Sequence, residues 1–337
     1  MNIYSVCGIS AAVAFVLGVI LYKIFIPLLR KVKLGQKILE IGPSWHKAKE
    51  GTPNLGGLFF IIACFVAFTL GTVLLKSVLG QQSGTWFDFS TVLKYSFTML
   101  GLGLSQGLIG FVDDYVKLFK KQNKGLSATQ KMVLQFLTVA GYLFVNSYYN
   151  GYDTAITLPG GNTVELGVFY YILLAVAIVY IINCANLTDG IDGLAGSIAF
   201  IITIMFLLYG AEYCVQLALP CAALAGALLA FLVFNFHPAK IFMGDTGSLY
   251  LGGFIVGAVM LTNCELLLLP ISFIWIIEGL SVMLQVASFK LTGKRIFKMS
   301  PIHHHFEKCG WSEVKIVAVF SAVTVVFCAL SYYLLII

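Results

Sequence analysis

The sequence predicts an all-α protein threaded repeatedly through a membrane, and three observations predict it. Of its 337 residues, 59% are hydrophobic and only 11% are charged, whereas soluble domains carry about 25% charged residues. Mean hydropathy is +0.94. Apolar stretches close to the roughly 20 residues a bilayer-spanning helix needs recur along the whole chain. Ten such stretches cover 5–29, 55–78, 92–112, 132–149, 167–185, 194–209, 215–234, 247–263, 267–288 and 314–336. They predict a single polytopic domain over residues 1–337.

Each element has its own justification. The first stretch is long enough to span, and no small-residue cleavage site follows it, so it is expected to be a retained helix rather than a removed signal. The third carries Gly103 and Gly107 at four-residue spacing, which permits close helix packing in lipid. The loops fix the orientation. Arg30, Lys31, Lys33, Lys37, Lys47 and Lys49 separate the first two stretches, and Lys117, Lys120, Lys121, Lys124 and Lys131 separate the third and fourth. Lys240 follows the seventh, and Lys290, Lys294, Arg295, Lys298, Lys308 and Lys315 follow the ninth. Of the 21 Lys and Arg residues, only Lys23, Lys76 and Lys94 lie elsewhere. By the positive-inside rule these four loops are cytoplasmic and both termini lie outside. The net charge of +6 therefore belongs to one membrane face, suited to anionic headgroups and anionic soluble substrates. No nucleic-acid partner is expected. The eight cysteines are scattered with no C-x-x-C pair and read as packing residues rather than a disulfide or metal framework.

The acids follow the same sidedness. Asp88 and Asp153 fall in outer loops, while Asp113, Asp114, Asp189, Asp192 and Asp245 lie at inner helix ends. So do all five histidines, at 46, 237, 303, 304 and 305. An aspartate at a helix end can be a simple cap, but five on one membrane face are functional suspects. In "GFVDDYVK", Asp113 and Asp114 point about 100° apart if helical, so one can bind a cation while the other caps, and Lys117 shares a face with Asp113. In "NCANLTDGIDGLAG", Asp189 and Asp192 share a face if helical, with Asn183 and Asn186 one turn earlier and Gly190, Gly193 and Gly196 leaving room for a ligand. Such an all-oxygen surface suits a hard cation such as Mg²⁺ or the polar edges of a nucleotide. In "FNFHPAKIFMGDTGSL", Asp245 is expected at the start of the eighth helix, as dipole-favoured cap or metal ligand, with Phe242 as a stacking surface. In "SPIHHHFEKCGW", three consecutive histidines cannot all reach one ion from a regular helix. Beside Lys294, Arg295 and Lys298 they suit phosphate binding or proton handling. Inside the ninth helix, Glu278 is expected to pair with a polar neighbour such as Gln285 or to serve packing specificity. With few ionisable groups inside helices, an ion-coupled transporter is a poor fit. Magnesium-dependent phosphoryl transfer between a soluble nucleotide and a lipid phosphate fits better.

These motifs, in order and spacing, with "HKAKEGTPNLGG" in the first cytoplasmic loop, resemble the bacterial phospho-N-acetylmuramoyl-pentapeptide transferase family of the polyprenyl-phosphate N-acetylhexosamine-1-phosphate transferase superfamily. The resemblance covers nearly the whole chain, and the triple-histidine form "PIHHHFE" is similar to the muramoyl-peptide enzymes rather than to relatives that use UDP-GlcNAc. It implies a multi-pass enzyme of the bacterial cytoplasmic membrane, a homodimer, in which undecaprenyl phosphate attacks UDP-MurNAc-pentapeptide to give lipid I and UMP for peptidoglycan synthesis. By motif it implies Asp245 as Mg²⁺ ligand and Asp113, with Asp114 beside it, as base or positioner of the lipid phosphate. Asn183, Asn186, Asp189, Gly190, Asp192, Gly193 and Leu194 would shape the nucleotide and diphosphate pocket, and Asn235 and Phe242 would flank the uridine. Lys49, Lys117, Lys121 and Lys131 would meet phosphates, and His303, His304 and His305 would complete the site. Asn54 and Thr246 stand where the family usually has Thr and Val. A phosphate monoester has a second pKa near 6, so the acceptor is already mostly dianionic at neutral pH. Direct in-line attack, with Asp113 orienting the acceptor, is therefore the expected route, and a covalent aspartyl phosphate the competing one.

Overall fold

Ten long helices occupy the positions of the ten apolar stretches. The computed structural model describes residues 2–31, 49, 51–79, 89–119, 125–151, 153–158 and 162–337. The long helices are α1 (Ile3–Lys31), α2 (Gly56–Leu79), α3 (Phe89–Phe119), α4 (Ala128–Tyr149), α5 (Val168–Thr188), α6 (Leu194–Tyr213), α7 (Val215–Asn235), α8 (Gly244–Met260), α10 (Phe273–Thr292) and α12 (Glu313–Ile336). Among the described residues there are also two short helices, α9 (Leu268–Ile271) and α11 (Ile302–Lys308). Eight of the long helices are both long and apolar enough to cross a membrane. The exceptions are α4, which carries Gln130, Lys131, Gln135 and Asn146, and α8, which has only 17 residues.

The shortness of α8 has a physical reason. At 1.5 Å per residue it is about 25 Å long, less than the roughly 30 Å of a hydrocarbon core. From Thr246 to Met260 every residue is buried. It touches α2, α3, α5 and α6, so it meets protein rather than lipid and its N-terminus is recessed within the bundle. The glycine spacing of α3 makes a close approach to α8. A methyl group at Gly103 or Gly107 would lie 3.2 Å from the Tyr250 side chain, and one at Gly110 only 2.2 Å from the backbone oxygen of Asp245. The expected close packing is present, and Gly110 extends it one turn toward the acids.

Around that axis, α7 packs on α1, α2 and α6, while α12 leans on α6 and α10 on α5. Helix α3 continues seven residues past the predicted end of its apolar stretch, so Asp113, Asp114 and Lys117 all sit on its last turns. The ninth stretch is interrupted. A 3-10 turn at Glu265–Leu267 and the short α9 precede α10. Between α4 and α5, opposite the acid-rich rim, a two-stranded antiparallel hairpin pairs β1 (Ala155–Thr157) with β2 (Thr163–Glu165), Ala155 facing Glu165. No apolar pattern announces it.

Candidate active site

Four helix ends and two loops build a cluster of charges at the recessed end of α8. Asp245 lies in the first turn of α8. Its Oδ2 is 3.0 Å from Lys117 Nζ and 2.8 Å from Lys131 Nζ, and its Oδ1 accepts a hydrogen bond of 2.9 Å from Asn186 Nδ2. Asn186 also donates to Ser248 Oγ at 2.8 Å. Lys117 reaches back one turn to Asp113 Oδ2 at 2.5 Å, the pair its i,i+4 spacing predicts. Asp113 Oδ1 accepts the backbone N–H of Leu126 at 2.7 Å, which ties the end of α3 to the start of α4. That start is held by a capping box between Ser127 and Gln130, bringing Lys131 to Asp245.

The adjacent acids have different tasks. Asp114 Oδ2 accepts from Thr246 N at 2.9 Å and from Thr246 Oγ1 at 2.7 Å, so it caps α8 from a neighbouring helix. An anion there satisfies N–H groups that the helix leaves unpaired and opposes its dipole. Gly244 makes the approach possible. Its φ is +72°, and a methyl group there would lie 2.6 Å from both Asp114 Oδ2 and Asn54 Oδ1. The first loop is stitched to the same corner, with Phe242 N donating to Pro53 O at 2.9 Å and Gly56 N to Phe242 O at 2.8 Å. This leaves the half-buried Phe242 ring beside that loop.

The "TDGIDG" segment departs from the helical reading. Helix α5 ends at Thr188, with Asp189 as its C-cap, and α6 starts after Gly193 at φ +81°. Asp189 and Asp192 therefore do not share a helical face. The glycines end the helix, and the two acids separate. Asp189 turns toward the first cluster. Withdrawal from water, reinforced by the charges of Asp245, Asp114 and Asp192, holds its carboxyl well above the ordinary aspartate pKa. Asp192, by contrast, anchors a second cluster. Its Oδ1 is 2.7 Å from Lys49 Nζ, and its Oδ2 is 3.1 Å from His237 Nδ1 and accepts from Ala239 N at 2.9 Å. Glu313, in the first turn of α12, places both oxygens 2.7 Å from Lys49 Nζ and accepts from Asp192 N at 2.9 Å.

Among the described residues, two groups bring three ligand atoms within 4.8 Å of one another: Asp113, Asp114 and Asp245, and Asp192, His237 and Glu313. The first offers carboxylate oxygens only, the donor set of a hard divalent cation. The second already has a cation, the Lys49 ammonium, between its carboxylates.

The remaining predicted residues take different places. Asn235 is buried and spent on structure, its Oδ1 accepting from Gly193 N at 3.0 Å and its Nδ2 donating to Ile241 O at 2.9 Å. Asn183 donates to Gln135 on α4 and to Val179 O. Leu194 lies in the apolar core. The three histidines diverge. His303 Nδ1 lies 3.1 Å from Glu278 Oε2, His304 Nδ1 2.5 Å from Glu307 Oε2, and His305 Nδ1 accepts from Lys298 N at 3.1 Å. Gln285 does not pair with Glu278. It binds the backbone of Ile296 and Phe297 instead. Lys121 falls outside the described residues. Sequence reasoning missed His237 and Glu313 as site residues. His237 stood in a quoted motif, and Glu313 lies two residues past another.

Comparison with known proteins places the chain in a family. Residues 96–263, from α3 to just past α8, match the family described as "Glycosyl transferase family 4". A Clostridium perfringens protein named phospho-N-acetylmuramoyl-pentapeptide-transferase is 45% identical over 327 residues, 96% of this chain and 96% of its own length. The chain belongs to that family. A Geobacillus thermodenitrificans protein of the same name is 43% identical over 97% of both chains, and a Clostridium beijerinckii one 44% identical over 94% of this chain and 93% of its own. The matched segment includes the acids of α3, the "TDGIDG" loop, His237 and Asp245, whereas Lys49, Glu313 and His303 to His305 lie outside it.

Proposed function

We propose that this chain is itself a phospho-N-acetylmuramoyl-pentapeptide transferase of the bacterial membrane. It moves the phospho-MurNAc-pentapeptide group of UDP-MurNAc-pentapeptide to undecaprenyl phosphate, giving lipid I and UMP. One observation carries the reading. Three carboxylates from two helices converge within 4.8 Å at an inner helix end, with two lysines on Asp245. That is the equipment a diphosphate and a divalent cation require.

The reaction forms one O–P bond and breaks another. An oxygen of the lipid phosphate attacks the sugar-linked phosphorus, and the bridging oxygen leaves with UMP. Asp113 and Asp245 would hold Mg²⁺, while Asp114 keeps Asp245 in place through the end of α8. A cation held there would supply charge neutralisation to the diphosphate. Lys117 and Lys131, now paired with Asp245, exchange one anion for another when phosphate arrives. Asp113 bonds the Leu126 backbone just ahead of α4 and Lys117, so its role is orientation rather than proton removal, and the acceptor needs no base. Lys49, Asp192 and Phe242 form the nucleotide side. Asn235 supports it from behind through Gly193. Association of two copies belongs to the same reading and is checked by the mass of the detergent-solubilised enzyme. The decisive assay is release of UMP from UDP-MurNAc-pentapeptide with undecaprenyl phosphate in detergent, with and without Mg²⁺. Turnover is expected only with the cation, and no UMP under either condition would refute the reading.

A further inference from the structure

Behind the "TDGIDG" loop lies a pair of ionisable groups that neither cluster uses. Glu278 of α10 and His303 of α11 have no solvent exposure. His303 Nδ1 is 3.1 Å from Glu278 Oε2, and His303 N is 3.5 Å from the same oxygen. Among the described residues, Glu278 Oε1 and both ring nitrogens of His303 have no hydrogen-bond partner, so the carboxylate meets the ring as a 3.1 Å charge contact. Two charged or polar groups withdrawn from water cost more than apolar side chains of similar size, and such groups inside a membrane bundle are functional suspects.

The direction of the ring supplies the function. A methyl group at Gly190 would lie 2.2 Å from His303 Nε2, so the imidazole abuts the loop at the residue next to Asp189. At the loop's other end, Asp192 is held independently by Lys49, Glu313, Ala239 and His237. Among the described residues, the Asp189 end has the backbone bond from Asp189 N to Asn186 O at 3.2 Å and the ring beneath Gly190. A carboxylate 3.1 Å from one ring nitrogen favours a proton on that nitrogen and draws the ring toward it.

We propose that Glu278 is a positioning residue for the transfer reaction, holding the His303 imidazole under Gly190 and thereby setting Asp189 against the Asp113–Asp245 cluster. The inference rests on the function proposed above and adds a residue to it. Because the Asp192 end is anchored separately, the effect falls on turnover rather than on nucleotide binding.

The test is a double-variant cycle read by UMP release. Glu278→Gln keeps shape and removes the carboxylate. It is expected to lower kcat on the order of tenfold or more, the scale seen when a functional histidine loses its carboxylate partner, with the donor KM within about twofold. In a His303→Asn background the same change has no further effect, whereas independent packing roles would multiply. Unchanged kcat in Glu278→Gln, or multiplied losses in the double variant, overturns the proposal. If Glu278→Gln does not purify folded, Gly190→Ala pushes the ring from the other side, and full turnover in that variant overturns the proposal equally. An inactive wild-type enzyme would instead refute the assigned reaction, so the two failures are distinguishable.

Discussion

The two acid clusters at the inner rim hold their central aspartates, Asp245 and Asp192, in opposite ways. In the first, Asp245 keeps one-fifth of its side-chain surface exposed and Lys117 one-third, and the partners of Asp245 are all side chains on other helices. In the second, Asp192 is almost entirely buried and backbone N–H groups join the side-chain pairs. Ion pairs between partly exposed side chains rearrange at little cost, while buried, backbone-anchored ones are costly to break. Asp245 is therefore suited to exchanging counterions during a reaction, within a frame fixed by the backbone bonds of Asp113 and Asp114. The second cluster is suited to keeping a fixed shape for a nucleotide.

Breaking each cluster should separate chemistry from binding. The largest expected effect is Asp245→Asn, with kcat for UMP release falling on the order of 10³-fold, the scale of losing a charge-stabilising group at a reacting centre, while the protein stays folded by thermal scan. Next, Glu313→Gln removes the negative charge facing Lys49 and one of the two oxygens that meet its ammonium. The donor KM should rise about tenfold with kcat little changed, a loss of uniform binding, as donor titration will reveal. Asp114→Ala leaves the N–H and hydroxyl of Thr246 unsatisfied in a buried place, which costs about 1–3 kcal/mol. A drop in unfolding temperature should accompany its loss of activity, unlike Asp245→Asn. The smallest effect belongs to the outer rim, where Tyr170 donates to Glu265 at 2.8 Å far from either cluster. Tyr170→Phe should cost less than about 1.5 kcal/mol and leave turnover unchanged.

What the sequence disclosed follows from how local each feature is. Ten helices were legible because each apolar stretch declares itself without reference to the rest of the chain. Asp113 and Lys117 were legible because they are four residues apart on one helix. Asp114 as a cap for α8 was not, since its partner Thr246 is 132 residues away. Nor was Glu313, which meets Lys49 across 264 residues and resembles an ordinary first-turn acid. The separation of Asp189 from Asp192 was hidden by their helix-like spacing, which glycines at 190 and 193 interrupt. Glu278 stood out as an acid inside an apolar helix, but Gln285 on its own helix was the nearer candidate partner. His303 became its neighbour only once α11 folded back.

The division of labour between the clusters can be read in one measurement, the initial rate of UMP release against Mg²⁺ and donor concentration for the wild type, Asp245→Asn and Asp192→Asn. The account predicts that Asp245→Asn loses or shifts the Mg²⁺ dependence of the rate. Asp192→Asn should raise the donor KM and leave the Mg²⁺ dependence where it was. An unaltered Mg²⁺ dependence in Asp245→Asn, or a shifted one in Asp192→Asn alone, would contradict it.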